Sequence, residues 1–132
     1  MRRGVFLLII IFLASWIRVG AQDDPFDSIV KAFKGSDAKG LSDFFNITIE
    51  LGLPDNENTY SALQGEMIMK DFFRKYPPDS FLIVQKGTTD AISKFAICSY
   101  VSGERQYQVY IYLRKEKEKY LIHKIRFEEK KK

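Results

Sequence analysis

Acid–base, nucleophilic and metal chemistry all need side chains of the right type within reach of one another. This chain offers few: a single histidine, His123, and a single cysteine, Cys98. His123 stands in the apolar run 120–127, in phase with Leu121, Ile125 and Phe127 at a period of two, so it is expected on the apolar, helix-covered side of a strand. From there it could serve as a general base on a pocket floor, the basis of a reading as a small isomerase, dehydratase or hydrolase. Such a base needs a carboxylate partner, and the acids Asp43, Glu50 and Glu66 fall on polar faces, so a structural histidine is the simpler reading. Cys98, between Ile97 and Ser99, reads as a small buried hydrophobe: no second cysteine is present to bridge it, and no histidine lies near it in sequence to activate it. One histidine, one cysteine and scattered carboxylates do not converge as metal ligands, and there is no glycine-rich phosphate loop or nucleophile elbow. Neither a metal nor a cofactor is expected.

The elements that must position these residues are mostly strands. Runs at 81–86, 95–101, 107–113 and 120–127 are rich in β-branched and aromatic residues, and turn signals separate them at Gly87, Gly103 and the charged run 115–119. An antiparallel meander accounts for this pattern. Tyr107, Val109, Ile111 and Leu113 are expected to face a cover of helices, leaving Gln108, Tyr110 and Tyr112 outside. On the neighbouring strand Ala96, Cys98 and Tyr100 are assigned to the same outer side. Tyrosine is enriched in interface cores, so Tyr100, Gln108, Tyr110, Tyr112 and Cys98 make a candidate surface for a homodimer.

The cover comes from the first half of the chain. Asp24 can cap a helix with Pro25 in its first position, and Phe26, Ile29, Val30 and Phe33 fall on one face. Gly35 stops that helix, and Asp37 caps a short second one with Leu41, Phe44 and Phe45 on its buried side. Ile47, Ile49 and Leu51 then alternate with polar residues as a half-buried strand, and residues 54–58 read as a turn. The triplet Asn46-Ile-Thr48 has the form of a glycosylation acceptor and is read as incidental. Ser61 and Gln64 form a capping box opening a longer helix striped by Gly65, Ile68, Met69, Phe72 and Tyr76, which Pro77 and Pro78 end.

Arg2 and Arg3, the apolar run from Gly4 to Leu13 and the small residues Gly20 and Ala21 read as a secretory signal cut after Ala21. The run from Val5 to Ile17 is shorter than the roughly 20 residues a membrane-spanning helix needs. Residues 22–132 are therefore expected to be one exported domain, periplasmic or secreted, meeting the membrane only during export. The formal charge of +4 gives no footprint for nucleic acid: Arg2, Arg3 and Arg18 precede Gln22 and no acid does, leaving 18 bases against 17 acids in the remainder.

In order, the elements read α-α-β-α-β-β-β-β, an α+β arrangement of N-terminal helices packed on a curved, cone-like antiparallel sheet. Several stretches carry a resemblance: Phe26-Asp-Ser-Ile-Val-Lys-Ala-Phe33, Leu41-Ser-Asp-Phe-Phe45 with Ile49-Glu-Leu51, Ser61-Ala-Leu-Gln64 leading to Lys70-Asp-Phe-Phe73, and Ile122-His-Lys-Ile-Arg-Phe-Glu128. On these the chain resembles the nuclear transport factor 2-like, or cystatin-like cone, superfamily, and within it the bacterial exported domain of unknown function 4783 family. The resemblance implies a curved sheet wrapped on helices, a pocket in the cone suited to a small apolar ligand, and dimerisation through the sheet. It implies no activity and brings no functional residues with it. The function expected from the sequence is an exported, non-enzymatic binding or interaction module, with the His123 enzyme as the alternative.

Overall fold

A computed structural model describes residues 24–131, so the leader read over residues 1–21 lies outside the described residues. The first helix, α1 (Pro25–Lys34), starts where the Asp24 carboxylate accepts the Phe26 backbone N–H at 2.9 Å, and its Phe26, Ile29, Ala32 and Phe33 are buried. After Gly35 and Ser36, Asp37 accepts the Gly40 N–H at 2.9 Å and opens α2 (Ala38–Ser42). Phe45, read as part of the buried side of this second helix, instead begins β1 (Phe45–Leu53). The chain reverses at Pro54 and Asp55 into β2 (Asn56–Ser61). Next comes α3 (Ala62–Lys75), with the capping box between Ser61 and Gln64 formed in both directions. Four strands follow: β3 (Ser80–Asp90), β4 (Ser93–Ser102), β5 (Arg105–Glu116) and β6 (Lys119–Glu129).

β2 is a strand where a turn was expected. Its burial is almost nil, and only Tyr60 is half covered, so it has no apolar alternation to betray it. Gly87 likewise does not end β3. That strand runs on to Asp90 and turns at Ala91 and Ile92.

The six strands form one curved, unclosed sheet in the order β2-β1-β6-β5-β4-β3. All pairings are antiparallel except β1 with β6, which is parallel. The helices cover one face, and aromatic rings fill the space between. Phe33 of α1 stacks on Phe81 with ring centroids 4.3 Å apart and meets Phe73 edge-on at 5.8 Å. Phe72 of α3 packs on Tyr100, Tyr107 and Phe127 of the sheet. Gly65 lets α3 lie directly on β1, against Phe45 and Ile49.

Two register features correct the assignment of faces. The two-residue turn at 103–104, with Gly103 at φ +57°, pairs Tyr100 with Tyr107 and Cys98 with Val109. Residues directly opposite one another share a face. Ala96, Cys98 and Tyr100 therefore join Tyr107, Val109 and Ile111 under the helices, and all six are buried. The outer side of β4 is formed by Phe95, Ile97 and Ser99, opposite Tyr112, Tyr110 and Gln108. The second feature is a bulge in β6. Tyr112 pairs with Lys124 but Leu113 with Ile122, so His123 is left unpaired and the inward set changes from Ile125 and Phe127 to Ile122.

Candidate functional site

A cleft of about 320 Å³ opens between α3 and one end of the sheet. Met67, Ile68, Asp71, Phe72, Lys75 and Tyr76 line it from α3, a set that recurs every three to four residues on one helical face. The β1–β2 reversal contributes Leu53, Pro54 and Asp55, the start of β5 contributes Arg105 and Tyr107, and the end of β6 contributes Glu129. Phe72 and Tyr107 are buried and make the floor, with ring centroids 5.5 Å apart. The rim is ionic. Lys75 Nζ stands 3.2 Å from Asp71, which also accepts from Arg74, and Arg105 donates to Glu129 at 3.1 Å while lying 5.0 Å over the Tyr76 ring. These rim pairs are half exposed, so each contributes little to stability and is readily exchanged for a ligand contact.

Two groups of the cleft, Asp71 and Tyr107, are shifted away from proton transfer near neutrality. Hydrogen bonds from Arg74 and then Lys75 hold the Asp71 carboxyl below the usual carboxylate range. Burial raises the Tyr107 hydroxyl above the usual phenol range, a shift that the Arg105 donor only partly offsets. A general acid or base working at pH 7 needs the opposite adjustment.

The expected site residues lie elsewhere. His123 sits at the bulge, 24% exposed, on the outer face and not beneath the helices. Its Nε2 is 3.1 Å from Glu116 Oε1 yet makes no hydrogen bond with it. Cys98 and Tyr100 are fully buried and cannot contribute to an outer surface. Burial pushes the Cys98 thiol up to about 12, so it stays protonated and unreactive at neutral pH. The Tyr100 hydroxyl, also raised by burial, donates to the Tyr76 carbonyl and so satisfies an acceptor at the end of α3. Gln108, Tyr110 and Tyr112 do lie on the outer face, half buried, with Gln108 donating to the Tyr110 hydroxyl at 2.8 Å and Tyr112 to Ser93 at 2.9 Å. Among the described residues no three His, Cys, Asp or Glu side chains converge to hold a metal ion, and no helix is long and apolar enough to cross a membrane.

Sequence reasoning did not find the cleft. Ile68, Phe72 and Tyr76 were legible as an apolar stripe, but Arg105, Glu129 and the 53–55 reversal come from three further elements whose convergence depends on the parallel β1–β6 pairing.

The family model described as "Domain of unknown function (DUF4783)" matches residues 26–128. The chain belongs to this family. Two solved DUF4783 proteins are similar to it across their whole length. One, from Bacteroides uniformis ATCC 8492, is 23% identical, with a TM-score of 0.77, and the match covers 83% of this chain and 100% of that one. The other, from Bacteroides ovatus ATCC 8483, is also 23% identical at a TM-score of 0.77, covering 85% and 100%. A domain of unknown function with a cystatin-like fold from Nostoc punctiforme is 9% identical, with a TM-score of 0.64 over 81% of this chain and 74% of that one. No curated protein matches the sequence. At these identities the structural matches establish that this DUF4783 chain has a cystatin-like fold.

Proposed function

We propose that the protein is an exported, non-enzymatic binding module that holds a small, largely apolar ligand in the cleft between α3 and the sheet. The observation that carries this reading is the makeup of that cleft: an aromatic floor of Phe72 and Tyr107 below a rim where Lys75 pairs with Asp71 and Arg105 with Glu129, at a volume typical of small-molecule sites. The enzyme alternative loses support because His123, its only candidate base, stands on the other face of the sheet. The test uses a neutral apolar fluorescent probe, Nile red. Saturable fluorescence enhancement is expected with the wild-type chain, and Ile68→Arg, at a half-buried cleft position, should weaken it at least tenfold while leaving the circular dichroism spectrum unchanged. Equal binding by the variant would contradict the reading.

A second reading, a homodimer through the outer face, is favoured by Leu82. It is 53% exposed on β3, in the same cross-strand row as Ser99 and Gln108 and next to the row of Tyr110. Tyr110→Glu is expected to keep the fold and lower the mass seen in light scattering to that of a monomer. A monomeric wild type, or a variant that still associates, would rule this surface out.

A further inference from the structure

The parallel pairing of β1 with β6 is interrupted. Phe45 pairs with Ile122 and Glu50 with Lys124, so residues 46–49 stand opposite His123 alone. β1 must arch away from β6 there, and a groove of about 290 Å³ opens on the outer face, lined by Thr48, Glu50, Thr59, Tyr112, His123 and Lys124. Its frame is one cross-strand row, Thr59, Glu50, Lys124 and Tyr112, over β2, β1, β6 and β5. We propose that this groove is a binding site for a neutral, polyhydroxylated ligand of the size of a sugar ring. The site is independent of the cleft and of the function assigned to it.

The chemistry of the lining selects that class. Two hydroxyls, a carboxylate, an ammonium, an imidazole and a phenol ring line the space, so hydrogen-bonding groups alternate with the apolar surface of the Thr methyls, the Lys stem and the Tyr ring, a mixture that matches the hydroxyl and C–H sides of a sugar. Lys124 Nζ lies 3.7 Å from Glu50 and 3.9 Å from Glu57, beyond hydrogen-bond distance of either, so its donors are free to turn to a ligand. Two neighbouring hydroxyls of a sugar fit this pair: one donates to Glu50 and the other accepts from Lys124. Thr48 and Thr59 can take further hydroxyls, and the Tyr112 ring offers a flat apolar face to the C–H side of the sugar. The His123 ring also lines the groove, but its Nε2 is buried 3.1 Å from Glu116 Oε1, so the ring serves as a wall of the groove and not as one of its hydrogen-bonding groups. The carboxylates of Glu50, Glu57 and Glu116 around the site oppose an anion such as phosphate.

Because His123 is the only histidine, its imidazole C–H resonances report on this groove alone. The full chain is titrated by NMR with glucose, galactose, N-acetylglucosamine and cellobiose, and in parallel with inorganic phosphate. At least one sugar should shift the His123 resonances saturably, with a dissociation constant on the order of 1 mM, and phosphate should not. Glu50→Ala and Thr59→Val, both at exposed positions, should each weaken that sugar while leaving resonances outside the groove in place, the first by at least tenfold. Unmoved His123 resonances with every sugar, a response to phosphate alone, or a sugar response that both variants retain at full strength would overturn the proposal.

Discussion

Gly65→Val is expected to destabilise the protein by roughly 2–3 kcal/mol, through overpacking at the contact of α3 with β1. A β-carbon at Gly65 would stand 2.7 Å from Ile49 Cγ2 and 3.1 Å from Phe45 Cε2. The Ile49 methyl is attached directly to its branched β-carbon, and the residue is fully buried, so it cannot swing aside as the tip of a long side chain would. The helix propensity gained on replacing glycine is at most about 1 kcal/mol for alanine and less for valine, so the clash outweighs it. Displacing α3 to relieve the contact would also shift Ile68, Phe72 and Tyr76, which line the cleft. A denaturant midpoint measured by circular dichroism checks this, and Gly65→Ala, with fewer atoms to place, should lose less than valine. An unchanged midpoint for valine would mean that α3 is not seated on β1 as described.

Phe33→Ala should cost more, about 3–5 kcal/mol, the range for removing a large aromatic from a core. Phe33 is fully buried at the junction of α1 with the sheet. It stacks on Phe81, meets Phe73 edge-on and lies near Tyr100 and Phe127 at centroid distances of 6.4 Å. Those neighbours are anchored in four different elements, α3, β3, β4 and β6, and cannot collapse together into the space left behind. Phe33→Leu restores most of the volume and should recover more than half of the loss. Thermal or denaturant unfolding distinguishes the outcomes, and a loss below about 1 kcal/mol for alanine would show that the α1–sheet junction is not the packed centre of the fold.

How far the sequence reveals this molecule depends on the range of the forces that place each part. Caps are set by residues two or three apart, so Asp24, Asp37 and the Ser61–Gln64 box were all readable in advance. The meander was readable because its apolar alternation is strong. β2 was not, because an edge strand with no buried face carries no such signal. The face of Tyr100 and Cys98 was recoverable: a two-residue turn holding Gly103 fixes the β4–β5 register, and that register places both residues inward. The position of His123 was not recoverable. Continuing the period of two along β6 points it inward, and only the bulge, which depends on the pairings with β5 and β1, turns it to the outer face. The cleft was hidden for a similar reason, since Arg105 and Glu129 meet only once β5 and β6 are paired.

The cleft between α3 and the sheet is expected to hold a small ligand in the protein as the cell makes it. Native mass spectrometry of the protein purified from its own compartment tests it most directly, because gentle ionisation preserves a complex that the cell has already assembled. The expected spectrum contains a species heavier than the polypeptide by one small organic molecule, and this species is absent from the Ile68→Arg variant prepared in the same way. Wild-type protein carrying no added mass, or an adduct that Ile68→Arg retains, would contradict the account.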